Sequence, residues 1–133
     1  MSTKIFVNLP VKDLKKSMEF FTRLGFSFNP QFTDENAACL VFSESIYAML
    51  LTEKFFKTFV TKEVADTNKT TEVINALFLD SRKAVDELVD KAMQAGAKKY
   101  RDPDEMDFMY SRSFSDLDGH LWEVGYMDPN HVQ

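Results

Sequence analysis

The chain has 133 residues, 44% hydrophobic and 28% charged, a globular balance in a length suited to one domain. Its net charge of -5 and its short lysine pairs, Lys15-Lys16 and Lys98-Lys99 set among acids, exclude a protein that grips nucleic acid through phosphates. No run of about 18 apolar residues predicts a spanning helix, so no membrane is expected as a partner.

Residues 4–11 alternate, with Ile5, Val7, Leu9 and Val11 on one face and Phe6, Asn8 and Pro10 on the other, which predicts a strand. Pro10 lacks a donor and belongs at a strand end or an edge. Asp13 is an N-cap for a helix bearing Leu14, Met18, Phe21 and Leu24, and Gly25 ends it. Strands are predicted over 37–43 and 46–52, joined at Ser43-Glu44-Ser45.

The second half repeats this order. Residues 73–79 form a strand, Asp80 or Ser81 caps a helix bearing Val85, Leu88, Val89, Ala92 and Met93, and Gly96 ends it. Strands over 109–115 and 120–127 follow, with a turn at Asp118-Gly119. Each half is a helix plus a short sheet, and the two are expected to pack as a single domain over 1–133. Module one covers about 4–53 and module two about 73–127. The connecting segment, about 54–72, carries Phe55, Phe56 and Phe59 at helical spacing, which suits either a short helix packed on the sheet or a lid.

The chain contains 13 Phe but only 2 His. Cys39 stands in an apolar run and reads as a buried thiol, and a lone cysteine suits a reducing cytoplasm. No signal-peptide segment is read at the start. His120 is expected to be structural or solvated, and His131, in the C-terminal tail, to be disordered. The acidic run Asp102–Asp107 lacks the pattern of a calcium loop and is expected to be solvated.

Two stretches carry a resemblance. Val11-Lys12-Asp13-Leu14, Ser17, Phe20-Phe21 and Leu24-Gly25-Phe26 resemble the opening of the vicinal oxygen chelate superfamily, which includes glyoxalase I, bleomycin-resistance proteins and extradiol dioxygenases. Phe114-Ser115-Asp116-Leu117-Asp118-Gly119-His120-Leu121-Trp122-Glu123-Val124 is similar to its closing motif, with Leu117 in place of a proline. The resemblance implies an α+β fold of two βαβββ modules, a curved mixed sheet around a cavity with helices on the outer face.

It also implies four metal-ligand positions, which fall on Phe6, Leu50, Ile74 and Glu123. A register slip of two substitutes Asn8 for Phe6 and Thr52 for Leu50. A divalent cation wants at least three protein donors, so no metal or other cofactor is expected on Glu123 alone. The expected site is an apolar cup of Phe6, Leu50, Ile74 and Phe78, covered by Phe56, with Asn8, Thr52, Tyr110, Arg112 and Glu123 as polar groups. Glu123 is a general base or an anchor for a cationic ligand, unless Arg112 pairs with it. The acidic net charge mildly suits such a ligand. The expected function is metal-independent binding of a small hydrophobic or aromatic molecule. The alternatives are a metal-dependent lyase, isomerase or dioxygenase, and a protein-interaction module whose cup is filled. A homodimer is expected from the resemblance.

Overall fold

The computed structural model describes residues 3–130. The fold is α+β, with one sheet of four strands and one of five. The chain divides into two compact units between Asp66 and Thr67, inside the segment expected to connect the modules.

The first unit contains β1 (Ile5–Val11), α1 (Leu14–Arg23), β2 (Ser27–Asn29), a 3-10 turn (Pro30–Phe32), β3 (Ala37–Val41), β4 (Ile46–Thr52) and α2 (Glu53–Lys57). Strand order is β1-β4-β3-β2, with β1 parallel to β4 and the other pairs antiparallel. β1 is an edge strand, which is what Pro10 requires. The Asp13 carboxylate accepts from the Lys16 amide at 3.1 Å, so the predicted N-cap holds one of the helix's orphan donors. Leu14, Ser17, Phe20 and Phe21 are the buried stripe of α1, which packs on β2, β3 and β4. Met18 lies at the flank of that stripe, half-buried.

The second unit contains β5 (Ile74–Phe78), α3 (Arg82–Gln94), β6 (Lys98–Lys99), β7 (Asp104–Glu105), β8 (Met109–Ser115) and β9 (Leu121–Met127). β5 runs parallel to β9, and β8 lies antiparallel to β9, β6 and β7. Ser81, not Asp80, caps α3, its hydroxyl accepting from the Ala84 amide at 3.0 Å. Val85, Leu88, Val89 and Ala92 are buried on α3, whereas Met93 is exposed. The acidic run is not wholly loop, because Asp104 and Glu105 pair with Ser111 and Tyr110.

The turn between β8 and β9 is built around the buried Asp116. Its Oδ1 accepts from the amides of Asp118 (2.9 Å) and His120 (3.0 Å), and its Oδ2 from Trp122 Nε1 at 2.9 Å. Gly119 has φ +82°, and a Cβ there would sit 2.6 Å from Thr67 Oγ1. Only glycine meets both conditions. Thr67 Oγ1 itself donates to the Asp118 carbonyl.

Cys39 is 1% exposed, and burial raises its thiol above the ordinary value. Native protein is therefore expected to react with Ellman's reagent at least about tenfold more slowly than denatured protein. Equal rates would mean that Cys39 is accessible.

Candidate functional site

Register decides which side chains share a face. In the first sheet, Phe6 and Asn8 are level with Tyr47 and Met49, and Pro10 with Leu51. Val7, Leu9 and Val11 are level with Ala48, Leu50 and Thr52. Level residues project from the same side of a sheet. Leu50 and Thr52 therefore lie on the face opposite Phe6 and Asn8, contrary to expectation. Leu50 is 1% exposed among the core residues Leu9, Ala38, Leu40 and Ala48. The Thr52 hydroxyl caps α2, accepting from the Phe55 amide at 3.3 Å. The offset by one residue has a physical source: Ala48-Met49-Leu50-Leu51 is apolar at every position, so its pattern does not say which face is which.

Phe6 is 46% exposed and stacks on Tyr47 with ring centroids 4.6 Å apart. Asn8 is exposed and donates from Nδ2 to the Phe6 carbonyl at 3.3 Å. Phe56 lies on α2, which packs against β1 and β4 as a short helix. Phe59 is exposed and meets Phe55 edge to face at 5.0 Å.

In the second sheet, Ile74, Ala76 and Phe78 are level with Leu121, Glu123 and Gly125. On the other side of β9, Ser115, Ser113 and Ser111 are level with the same three residues. One face thus has an apolar strip on β5, a hydroxyl strip on β8, and Glu123 between them. Ile74 and Phe78 are exposed, and the Glu123 side chain is 25% exposed. The Phe78 ring lies over Gly125, where a Cβ would come within 3.0 Å of two ring carbons. Among the described residues, Ser113 Oγ is shielded from solvent and has no hydrogen-bond partner. Such orphans are uncommon in folded proteins.

Tyr110 and Arg112 do not join Glu123. They are level with Tyr126 and Val124 on the face packed by α3. Tyr110 Oη donates to Asp86 Oδ1 at 2.6 Å, and Arg112 Nη1 donates to Asp86 at 2.9 Å and Asp90 at 3.0 Å. The Tyr110 hydrogen bond, then Arg112, holds the Asp86 carboxyl below its ordinary value against the opposing effect of burial. Burial and the Asp86 carboxylate raise the Tyr110 phenol. The Arg82 guanidinium lies 5.3 Å from the Tyr110 ring centroid and binds Glu105 and the Met106 carbonyl. The group near Glu123 is instead Arg101, whose Nη2 lies 4.0 Å from Glu123 Oε2 and is ion-paired to Asp104. Sequence reasoning missed Arg101 and the serine row. The alternation of small Ser111, Ser113 and Ser115 with large Tyr110, Arg112 and Phe114 was the available signal for the row. His120 has its amide on Asp116, and His131 lies outside the described residues.

Residues 3–43 match the family described as bleomycin resistance protein-like N-terminal. Among solved structures, the chain is similar to hypothetical protein SA1046 from S. aureus, with 29% identity, 95% of each chain covered and a TM-score of 0.78. It is similar to a glyoxalase/bleomycin resistance protein/dioxygenase family enzyme from Burkholderia phytofirmans, with 16% identity, 95% and 99% covered and a TM-score of 0.77. Fosfomycin resistance protein FosX from Mesorhizobium loti has 12% identity, 97% and 95% covered and a TM-score of 0.69. The match over residues 3–43 and the shared fold of these structures fit the vicinal oxygen chelate superfamily. No curated protein sequence matches it significantly.

Of the four positions where the superfamily resemblance places metal ligands, Glu123 alone carries a donor side chain. Ile74 shares a face with Glu123 but brings hydrocarbon, and Leu50 is buried in the first unit's core. Among the described residues, no three His, Cys, Asp or Glu side chains are grouped so as to hold a metal ion. One carboxylate beside serine hydroxyls is a poor donor set for a transition metal, so the residues present do not fit the group.

Proposed function

We propose that this protein binds a small, largely apolar molecule on the Glu123 face of the second sheet, without a metal. The observation that carries this reading is an apolar strip of exposed Ile74, Ala76 and Phe78 beside Glu123 and the partnerless Ser113 hydroxyl. Ligand sites have this composition, mostly apolar with a few placed polar groups. The bleomycin- and fosfomycin-resistance names among the similar proteins support small-molecule recognition, whereas the names glyoxalase and dioxygenase support the competing reading. We place the protein in a reducing cytoplasm, in keeping with its lone buried thiol, and as a homodimer. The competing reading is a metal-dependent lyase, isomerase or dioxygenase using Glu123.

Two measurements test this. Titration with a neutral fluorescent apolar probe such as N-phenyl-1-naphthylamine should saturate, and Phe78→Ala should weaken it about tenfold. Elemental analysis after loading with Zn, Ni, Fe or Mn and desalting should show no stoichiometric metal. Retained metal would replace this reading by the enzymatic one, and probe binding indifferent to Phe78 would move the site elsewhere. Sedimentation as a stable monomer would refute the dimer.

A further inference from the structure

Arg101 is shared between two carboxylates through one nitrogen. Its Nη2 is ion-paired to Asp104 Oδ2 and stands 4.0 Å from Glu123 Oε2. The second separation is too long for a hydrogen bond. Arg101 is thus held by Asp104 and only accompanies Glu123. The Arg101 and Asp104 side chains are 54% and 48% exposed, so both are free to re-seat. Lys98, level with Ser115 on the edge strand β6, forms no ion pair with either carboxylate among the described residues. Two carboxylates therefore face one nearby guanidinium.

We propose that Arg101 is a displaceable counter-ion, and that the ligand of this face is a primary amine or amidine carried on an apolar body. The cationic nitrogen takes Glu123 Oε2 while Arg101 retires onto Asp104, its closer partner. The orphan hydroxyl of Ser113, level with Glu123 across the β8–β9 pair and shielded from solvent in the unliganded face, accepts a second N–H of the same group once the arriving cation displaces the side chains that cover it. The apolar body lies along Ile74, Ala76 and Phe78. An anion is disfavoured, because it would meet two carboxylates and a guanidinium already engaged. The proposal rests on the reading that this face binds a small molecule. It adds the charge of the ligand and gives Arg101 and Asp104 opposite effects on binding.

The test uses three probes with one ring in common: phenethylamine, 2-phenylethanol and phenylacetate. Each is titrated calorimetrically into the whole protein and into Glu123→Gln, Arg101→Ala and Asp104→Asn. Phenethylamine should bind wild type at least about tenfold more tightly than phenylacetate. Glu123→Gln should abolish that preference. Arg101→Ala should tighten the amine several-fold, since no counter-ion must leave. Asp104→Asn should weaken it, since Arg101 then settles on Glu123. Raising the salt should shrink all three effects. Weaker amine binding in Arg101→Ala, or a preference for phenylacetate, overturns the proposal. Equal binding of amine and alcohol, unmoved by the variants, overturns the charge selection but leaves small-molecule binding standing. Binding of no probe to protein with a native circular dichroism spectrum overturns both.

Discussion

Replacing Asp116 by alanine is expected to destabilise the protein by about 3 kcal/mol, the largest effect of any polar substitution considered. The carboxylate closes the β8–β9 turn by accepting two backbone amides and the indole N–H of Trp122, itself 2% exposed. Alanine leaves all three donors without that acceptor, and each costs more when buried than its bond contributed. Asparagine should fall between, because its oxygen serves the two amides while its NH2 confronts the Trp122 donor. The pH dependence has a definite sign. Burial, outweighing the His120 charge and the hydrogen bonds, raises the Asp116 carboxyl above its ordinary 3.8. The native state therefore holds its proton more tightly than the unfolded chain does. That contribution is fully present below the unfolded value and is lost as pH rises through the folded one. Urea unfolding of wild type and Asp116→Asn between about pH 3 and 7 should show the wild-type advantage shrinking as pH rises. An advantage that grows with pH would show the carboxyl to be lowered instead.

Leu50→Ala is expected to cost about 2–5 kcal/mol, and Phe6→Ala about 1 kcal/mol or less. The superfamily resemblance groups the two residues on one ligand face, so it predicts like effects. The register separates them. Leu50 is 1% exposed in the first unit's core, whereas Phe6 is 46% exposed and touches Tyr47 by stacking. Truncating Leu50 leaves a cavity with no side chain to fill it, while truncating Phe6 removes one stacked contact at the surface. Denaturant midpoints of the two variants decide the matter. A cost for Phe6→Ala equal to that of Leu50→Ala would mean that the strand register is wrong.

Much of the architecture was legible because local chemistry announces it. Asp13, Gly25 and Gly96 mark helix ends, and the alternation in β1 separates the face that buries Leu9 and Val11 from the one that exposes Phe6 and Asn8. The faces of β5 and β9 were also readable: Ile74, Ala76 and Phe78 do share a side with Glu123. Legibility failed where a strand is apolar on both faces, as in β4, and where a large polar side chain finds a partner remote in sequence. Arg112 and Tyr110 look like site residues until α3 supplies Asp86 and Asp90, more than 20 positions away. Arg101 gave no signal, since its nearness to Glu123 comes from the fold of the β6–β8 segment and not from any spacing.

Among the described residues every strand pairing closes within its own half of the chain, the first sheet spanning Ile5 to Thr52 and the second starting at Ile74. This has a consequence for synthesis. A ribosome adding about 5–20 residues per second delivers every strand of the first sheet before β5 exists. The 21 residues between the end of β4 at Thr52 and the start of β5 at Ile74 take roughly 1–4 s to add. Throughout that interval Ile5 and Phe6 of the edge strand β1, which are exposed even in the folded protein, are presented to neighbouring nascent chains. The aggregation hazard of this protein is therefore concentrated in the seconds before its second half appears.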